Sequence, residues 1–574
     1  MPSDPSSPDL IAHATGARDR IWSELRGQLV DDTYWTGELS SSALSTATAV
    51  TALTLVDADA NRDAIAAGLE WLADNRNEDG GWGDTVRSRS NLSTTFLVRG
   101  AIAVAKQQEA FADARESSGR YIDDAGGTDA ILAKYGKDRT FSVPILTMGA
   151  LGRLCEWSQI PRLPFELAAL PREFYAAVRL PVVSYALPAL IAIGQLLHER
   201  NPSRVPPVRL LRNAAGERTL FKLATLQPAN GGFLEATPLT SFVTMSLAAM
   251  GRASHPVAEK GTAFLLDSQR PDGAWPIDTN LSTWCTTLVV NAWGPDARKH
   301  LPNPDATLDW LLRQQYDAVH PFTGAAPGGW AWTPLPGGVP DADDTAGAIR
   351  AVCHLGDASD SKCRDAVSRG LGWLRDLQNR NGGIPTFCRG WGTLPFDEST
   401  PELTAHYLGA VRCVAAWTGD DISDRSVSRA KQFLDRSNRD GRYLPLWFGN
   451  EHHVDERNPV YGTARVLASS PSLDPRGEAL VAEQNEDGGF GGSLGLPSTV
   501  EETAVAITAL SSRDRDATRR AVAWLCDAID CDAHRTATPV GLYFANLWYF
   551  ESLYPLAFAL DGLNTFLRDA LTES

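Results

Sequence analysis

One short phrase recurs along this 574-residue chain: polar residues, then one or two glycines, then an aromatic residue. Three clear copies are GLEWLADNRNEDGGWG, KGTAFLLDSQRPDGAW and RGEALVAEQNEDGGFG, which end at Gly83, Trp275 and Gly491. In the C-terminal half, the aromatic position, once filled by isoleucine, falls at Phe233, Trp275, Trp330, Ile384, Tyr443 and Phe490. These intervals of about 42 to 59 residues are typical of repeats that contain a pair of helices.

The residues of the phrase predict a helix end and a tight turn. Glycine leaves a helix at positive φ without a Cβ clash, and Asn or Asp side chains bind free backbone groups. The amides of Gln269, Gln378 and Gln484 are expected to bind the end of a neighbouring helix. Ala- and Leu-rich segments such as 42–56 and 500–512 are predicted helices. Such helix pairs must stack, either in a solenoid or in a closed ring, and the pattern alone does not choose between these.

Length, charge and cysteine content exclude some classes of function. A chain of 574 residues predicts more than one domain, and a net charge of −17 argues against a nucleic-acid partner. Eight cysteines without a CxxC pair indicate reduced thiols in a cytoplasmic protein, and the N-terminus lacks the pattern of a signal peptide. The apolar segment 180–197 contains two prolines and polar residues, so we expect a buried helix rather than a membrane span.

A cluster of three carboxylates, Asp341, Asp343 and Asp344, lies in the stretch GGVPDADDTAGAI at the start of a predicted helix. Like charges at this spacing raise the pKa of at least one member, which then holds a proton near neutral pH. The cluster is therefore a candidate Brønsted acid.

These motifs together resemble the squalene cyclase family. The glycine-aromatic phrase resembles the QW motif of those enzymes, and DADDT resembles their DxDD motif. Four further stretches resemble family segments: DDTYWTGEL, NLSTTFLVRGAI, IPRLPFELAALPREF and GLYFANLWYFESLYP, which begin at residues 31, 91, 160 and 541. The likeness extends over nearly the whole chain.

The resemblance implies an all-α fold of two α/α barrels in a dumbbell, with the active cavity between them. It predicts that residues 1–20 join the C-terminal barrel, that 21–245 form an inserted barrel and that 246–574 form the catalytic barrel. It also predicts monotopic attachment to the inner face of the cell membrane through the apolar segment 160–197, where basic residues flank apolar ones. Relatives suggest a homodimer, and neither a metal nor a cofactor is implied.

The resemblance assigns roles around the acid. Asp343 takes the place of the proton donor, and Asp341 and Asp344 supply negative charge beside it. His406, in TPELTAHYL, takes the place of the hydrogen-bond partner of the acid. Glu402 stands where the family has Asp, one helical turn before His406, so we expect its carboxylate to keep the imidazole charged.

The resemblance also predicts a cavity whose aromatic faces stabilise carbocations without offering a lone pair. The matching positions are Trp284, Trp332, Phe387, Tyr461, Tyr543 and Phe550. Two positions depart from the family: Cys285 replaces an Asp, and Leu547 replaces an aromatic residue. These changes indicate a product other than the family's usual one.

The expected activity is protonation of a terminal alkene of a linear polyprenyl hydrocarbon, such as squalene, followed by polycyclisation. The enzyme is then an intramolecular cyclase of the isomerase class, or a lyase if water is added; loss of a proton and capture of water both remain open. One alternative is a cyclase of a prenyl diphosphate such as geranylgeranyl diphosphate. Two others are a protein prenyltransferase, whose zinc would need a site such as CDAH at 531–534, and a non-catalytic helical scaffold.

Overall fold

The computed structural model describes residues 8–572, except for 108, 136–138, 171–174, 176–182, 393, 423, 471–472, 475 and 543–546. The described chain is mainly helical, and its few strands are two or three residues long. The predicted all-α class is confirmed.

The N-terminal part of the chain contributes helices from α1 to α11. Their bounds are α1 Pro8–Gly27, α2 Ala43–Asp57, α3 Arg62–Asp74, α4 Leu92–Val104, α5 Ala112–Asp124, α6 Gly127–Tyr135, α7 Arg139–Leu151, α8 Val183–Arg200, α9 Pro206–Leu226, α10 Thr237–Ala249 and α11 Pro256–Asp267. Short 3-10 helices cover Trp157–Gln159, Phe165–Ala169 and Phe233–Glu235.

The C-terminal part contributes α12 to α23. Their bounds are α12 Ser282–Trp293, α13 Ala297–His300, α14 Pro304–Arg313, α15 Ala342–Leu355, α16 Ser361–Leu377, α17 Pro401–Thr418, α18 Arg425–Ser437, α19 Pro459–Ser469, α20 Glu478–Val481, α21 Val500–Leu510, α22 Arg515–Asp530 and α23 Tyr554–Thr572. Short 3-10 helices cover Gly294–Asp296 and Ala533–Arg535.

Both sets of helices close into rings. In the first, α2 packs on α4, α4 on α7, α7 on α8, α8 on α10, and α10 returns to α2. In the second, α12, α15, α17, α19, α21 and α23 pack in that order, and α23 returns to α12. Outer helices lie against the inner ones, as α16 does against α15 and α17. The repeat pattern was compatible with either a solenoid or a closed ring, and the structure has closed barrels.

The two barrels have separate hydrophobic cores, and the division between them differs from the predicted boundaries. One core contains residues from Ala43 to Trp275; the other contains residues from Ala14 to Leu39 together with those from Ile277 onward. Judged by which residues belong to each core, the inserted barrel begins about twenty residues after the predicted position of 21. It ends about thirty residues after the predicted position of 245. The reason is that all of α1 packs on α22 and α23, and α11 packs on α10 and α2.

In the described part of the chain, three pairs of short antiparallel strands lie between the helices. Strand β1 (Ser41–Ser42) pairs with β2 (Trp275–Pro276) where the chain enters and leaves the inserted barrel. Strand β3 (Ile384–Pro385) pairs with β4 (Ser399–Thr400), and β5 (Val540–Leu542) pairs with β6 (Leu547–Tyr549). The pairing of Ser42 with Trp275 thus fixes both ends of the insertion side by side.

The repeated turns carry the hydrogen bonds that their glutamines predict. The Nε2 of Gln378 donates to the carbonyl oxygen of Gly382 at 2.8 Å and to that of Ser426, at the start of α18, at 2.9 Å. Gln269 and Gln484 make the equivalent pairs of bonds. Gly382 has φ +95°, and a Cβ there would lie 2.4 Å from the carbonyl oxygen of Arg429. Glycine is required because any side chain would push the two helices apart.

A second hydrogen bond fixes each turn, and the sequence analysis missed it. The backbone N–H of the aromatic position donates to a threonine hydroxyl in the first turns of an inner helix, at 2.9 to 3.0 Å. The pairs are Trp35–Thr286, Trp82–Thr95, Phe233–Thr240, Trp275–Thr46, Trp330–Thr345, Ile384–Thr404, Tyr443–Thr463 and Phe490–Thr503. A threonine at the fourth or fifth helical position was the signal available in the sequence.

No helix in the part of the chain that the structure describes is both long and apolar enough to cross a bilayer. The described part of the segment 180–197 lies in α8, where Ile191, Ile193 and Leu196 are buried. The expectation of a buried helix at this segment agrees with this packing.

Replacing Gln378 with methionine is expected to destabilise the C-terminal barrel by about 2 kcal/mol or more, because two buried carbonyl oxygens lose their donor. Urea denaturation followed by circular dichroism measures the change. The control Gln432→Met alters an exposed position of α18 and should change the free energy of unfolding by less than about 0.5 kcal/mol. Equal effects of both substitutions would contradict the role of the Gln378 amide.

Candidate active site

The acidic cluster lies at the start of α15, and its position is fixed by the repeat turn before it. Asp341 is the N-cap, and its Oδ1 accepts a hydrogen bond from the backbone N–H of Asp344 at 2.9 Å. The N–H of Asp341 donates to the carbonyl oxygen of Trp330 at 3.0 Å, and the N–H of Trp330 donates to the hydroxyl of Thr345 at 2.9 Å. This arrangement places Asp343 in the first helical turn.

Asp341 and Asp344 form a buried pair. Burial raises the pKa of Asp341 to about 7, and burial together with the charge of Asp341 raises the pKa of Asp344 well above its ordinary value. Asp341 Oδ2 and Asp344 Oδ1 have no hydrogen-bond partner among the described residues. Two adjacent buried carboxyl groups relieve each other's charge when they share a proton. The pair thus carries less than two full negative charges, in line with the expectation that one member of the cluster holds a proton.

Asp343 is the member of the cluster that is partly accessible. Its side chain is 23% exposed, and it lines the large cavity described below. Its Oδ1 forms a short hydrogen bond with Nδ1 of His406, which is buried on α17. The structure therefore brings together the two residues that the sequence predicted as acid and partner.

The predicted role of Glu402 is not what the structure shows. Glu402 Oε1 accepts a hydrogen bond from the backbone N–H of Leu446 at 2.6 Å, and neither Glu402 Oε2 nor His406 Nε2 has a partner among the described residues. Burial raises the pKa of Glu402 to about 7. Burial also lowers the pKa of His406, against the opposing charge of Asp343. The structure therefore favours the neutral imidazole, because burial outweighs the charge of Asp343 and the Glu402 carboxylate is bonded to the backbone instead.

A small second cavity lies behind His406. Its volume is about 20 Å³, enough for one water molecule, and Arg350, Arg465 and Asp561 also line it. The positive charges of both arginines lower the pKa of His406 further. The sequence analysis missed these three residues because they lie on α15, α19 and α23, which only the closed ring brings together.

The large cavity lies between the two barrels and measures about 560 Å³. Asp341, Asp343 and Asp344 lie in its wall. Residues from both cores complete the lining, including Phe242 from the inserted barrel and Phe448 from the C-terminal one. The wall is mostly apolar, and cavities of this size and character bind small hydrophobic ligands.

Of the predicted cavity residues, Trp284, Trp332, Phe387 and Leu547 line this cavity. The ring of Trp284 lies 6.4 Å from that of His406, and the ring of Trp332 lies 6.3 Å from that of Phe387, both edge-on. Aromatic rings therefore form part of the same cavity wall as the acidic cluster.

Three other predicted residues are not part of the lining. Tyr461 is buried and stacks on Phe448 with 4.3 Å between ring centroids. Phe550 packs under the guanidinium of Arg87, and Cys285 is fully buried in the C-terminal core. These positions are corrected to supporting ones, because the packing of α19 and α12 turns Tyr461 and Cys285 away from the cavity and Phe550 packs on Arg87. Tyr543 lies outside the described residues.

Several aromatic residues of the lining were missed. They include Tyr185, Phe396, Trp447, Phe448, Tyr549 and Tyr554. Trp447 and Phe448 lie in the loop between α18 and α19, and Phe396 in the loop between α16 and α17. The sequence offers only aromatic residues in loops as a signal, and such residues are common in cores.

The segment CDAH does not form a metal site of the kind that a zinc-dependent transferase needs. His534 Nε2 lies 3.1 Å from Glu24 Oε1, and Arg535 pairs with the same carboxylate at 2.9 Å. Cys531 is exposed. These residues attach α1 to the C-terminal barrel.

Comparison with known families agrees with this geometry. The squalene-hopene cyclase N-terminal domain matches residues 19–213, and the squalene-hopene cyclase C-terminal domain matches residues 281–551. The chain belongs to the squalene-hopene cyclase family. Membership of this family makes it a class II terpene cyclase, and its predicted double-barrel fold is the fold of the family.

Relatives within this family differ in the reactions that their names describe. The chain is 24% identical to a squalene--hopene cyclase of Alicyclobacillus acidocaldarius over 76% of this chain and 75% of the relative. It is 29% identical to a drimenyl diphosphate synthase of Streptantibioticus cattleyicolor, over 42% of this chain and 44% of the relative. An ent-copalyl diphosphate synthase structure from Streptomyces platensis has the same fold, with TM-score 0.53 and 19% identity over 99% of this chain and 100% of that chain.

Removing the Asp343 charge is expected to lower the pKa of His406 still further, because that charge is what raises it against burial. NMR of histidine-labelled protein measures the titration in the wild type and in Asp343→Asn. The titration of His255, the N-cap of α11, whose pKa is lowered by burial and by Arg252, serves as an internal control and should not move. A His406 pKa that rises or stays the same in Asp343→Asn would contradict the contact.

Proposed function

We propose that this protein protonates a terminal alkene of a linear polyprenyl hydrocarbon, squalene or a similar chain, and so starts its polycyclisation. The observation that carries the proposal is the position of Asp343: it is bonded to a buried histidine and faces a large apolar cavity. In the reaction, Asp343 is the acid and the other two aspartates control the charge around it.

The environment of Asp343 suits it to donate a proton to carbon. A free Asp has a pKa near 3.9 and is a weak acid toward an alkene, so the carboxylate it leaves must be stabilised in the transition state. A neutral His406 that donates Nδ1–H to Oδ1 of Asp343 supplies this stabilisation. Because Asp341 and Asp344 share one proton, the pair carries one negative charge instead of two. The proton of Asp343 therefore leaves against a smaller negative charge.

The aromatic residues along the cavity protect the cation that forms. Trp284, Trp332 and Phe387 present rings rather than lone pairs, and the quadrupole of a ring stabilises a cation by roughly 0.5–2 kcal/mol. The cation moves along the chain as each double bond attacks it. A dry, preformed cavity also holds the chain folded for these steps.

The lining favours a hydrocarbon over a diphosphate. Among the described lining residues, Arg139 is the one cationic side chain, while four are aspartates. A diphosphate needs several positive groups or bound Mg²⁺. The second candidate, a prenyl diphosphate such as geranylgeranyl diphosphate, is favoured by Arg139 and by the likeness to a drimenyl diphosphate synthase.

Incubation of the purified protein with squalene and with geranylgeranyl diphosphate, each in detergent, tests the proposal by mass spectrometry of the products. The wild type should cyclise squalene, and Asp343→Asn should lose at least about 100-fold in rate, because an amide cannot donate the proton. The exposed change Asp267→Asn is the matched control and should keep the wild-type rate. Cyclisation by folded Asp343→Asn would remove Asp343 from its role, and turnover of the diphosphate alone would favour the second candidate.

We further propose that the protein takes its substrate from a membrane surface. In the described part of the predicted segment 160–197, Leu167 and Leu170 are exposed, whereas Phe165 is buried and Phe174 and Leu180 lie outside the described residues. The apolar surface extends onto α9, where Leu210 is 67% and Phe221 is 75% exposed. Arg209, Arg218 and Lys222 lie on the same helix, and basic residues beside apolar ones suit an anionic bilayer surface.

Binding to vesicles that contain anionic lipid is expected to fall by about tenfold or more when Leu210 and Phe221 are both replaced by serine, because burial of each side chain is worth about 1.5–3 kcal/mol. Flotation or co-sedimentation with vesicles measures the effect. Val454, which is 92% exposed in the loop between α18 and α19, provides the control Val454→Ser. Equal binding by the double variant and the control would contradict attachment through α9.

A further inference from the structure

Hydroxyl groups in the wall of the large cavity are engaged in hydrogen bonds. Among the described residues, five of the hydroxyl groups that line it have partners: Tyr549 with Tyr554, Tyr185 with the carbonyl oxygen of Phe387, Thr386 with the Trp447 indole, and Tyr135 with Ser93. Phenol and alcohol oxygens are also weak bases. A cation in this cavity therefore meets few groups that could remove a proton from it.

Asp278 is different from these groups. It lies in the cavity wall, away from the start of α15, and it forms no ion pair in the described structure. Its Oδ1 has no well-formed hydrogen bond, and the same is true of Nε1 of the neighbouring Trp332. Its position is fixed by the backbone, because Asp278 pairs with Ala236 and the preceding carbonyl oxygen accepts from Thr237 N–H at 3.1 Å.

A second carboxyl group, Glu235, lies behind Asp278. Glu235 accepts hydrogen bonds from the side chains of Asn230 and Thr279 and, at 2.6 Å, from the backbone N–H of Gly337. Burial raises the pKa of Glu235, and these three donors oppose that rise. Burial, and then the charge of Glu235, raises the pKa of Asp278 well above its ordinary value. Of the two groups, Asp278 is the one that lines the cavity, so its carboxylate is the one that a cation in the cavity can reach.

We propose that Asp278 is the base that ends the cyclisation. The inference rests on the proposed function and adds the residue at which the reaction stops. The sequence analysis left open how the final cation is quenched; the position of Asp278 assigns this step to a carboxylate beside Trp332.

The step is balanced without any further reactant. A C–H bond next to the cationic carbon breaks, its electron pair forms a C=C bond, and the proton passes to the Asp278 carboxylate. Asp343 has given one proton and Asp278 has received one, so the overall reaction is an isomerisation. Asp278 returns its proton to solvent, and Asp343 regains one, before the next turnover.

The location of Asp278 also predicts where the new double bond forms. The Trp332 ring stabilises a cation in the part of the cavity that Asp278 borders. Deprotonation there competes with further ring closure. A chain that reaches this point loses its proton to Asp278 rather than continuing along the cavity.

The test compares the products of wild type, Asp278→Asn and Asp278→Glu with squalene and with geranylgeranyl diphosphate, each in H₂¹⁸O. Asp278→Asn keeps the shape of the side chain and removes the base. We expect the main wild-type alkene to fall at least tenfold as a fraction of all products, and to be replaced by isomeric alkenes or ¹⁸O-labelled alcohols formed elsewhere in the cavity. Asp278→Glu restores a carboxylate and should recover part of the main product.

The controls separate this inference from the proposed function. Asp267→Asn makes the same chemical change at an exposed position and should leave the products unaltered, and near-UV circular dichroism shows whether each variant is folded. An unchanged product distribution in folded Asp278→Asn, or a main wild-type product that carries ¹⁸O, would overturn the role of Asp278 while the proposed function stands. If the wild type cyclises neither substrate, the proposed function fails, and this inference fails with it.

Discussion

The structure depends on one repeated contact: the backbone N–H of a buried aromatic residue donates to a threonine hydroxyl at the start of an inner helix. Two of these contacts join distant parts of the chain, Trp275 to Thr46 and Trp35 to Thr286, and they close the two rings. A third, Trp330 to Thr345, holds the start of α15, where Asp343 lies. An unpaired buried N–H would cost about 1–3 kcal/mol, so each contact fixes the helix register as well as its position. The location of the acid is thus a consequence of the scaffold.

Burial raises the pKa values of several carboxyl groups in this site. Asp341, Asp344 and Glu402 all hold their protons more firmly than exposed carboxyl groups do, and the pKa of His406 is lowered by the same cause. The charges of Arg350 and Arg465 act on the far side of His406. A neutral imidazole beside a partly exposed Asp343 is the result. The structure therefore pairs a partly exposed carboxyl group with a buried imidazole whose pKa is lowered.

Particular residues show which contacts of the site could be predicted from the sequence. Asp343 and His406 were predicted to meet, and they do. Each lies in a motif of the family, near the start of a helix that the sequence predicts. Glu402 was assigned to His406 from its spacing of four residues, but its carboxylate binds the backbone of Leu446. Helical spacing places two side chains on one face; it does not decide which of several nearby donors a carboxylate chooses. Tyr461 and Cys285 were misplaced for a related reason, since the side of the helix that faces the cavity depends on how the helix is packed.

The sequence by itself determined the repeated helix pairs, the glycine turns with their glutamine bonds, and the acidic cluster, because these features depend on residues close together in the chain. Only the tertiary structure decided that the repeats close into two rings and where the inserted barrel begins and ends. It also decided which aromatic residues line the cavity, and it placed Arg465 and Asp561 behind His406 and Asp278 in the cavity wall. Those positions depend on contacts between segments hundreds of residues apart, and no local pattern encodes them.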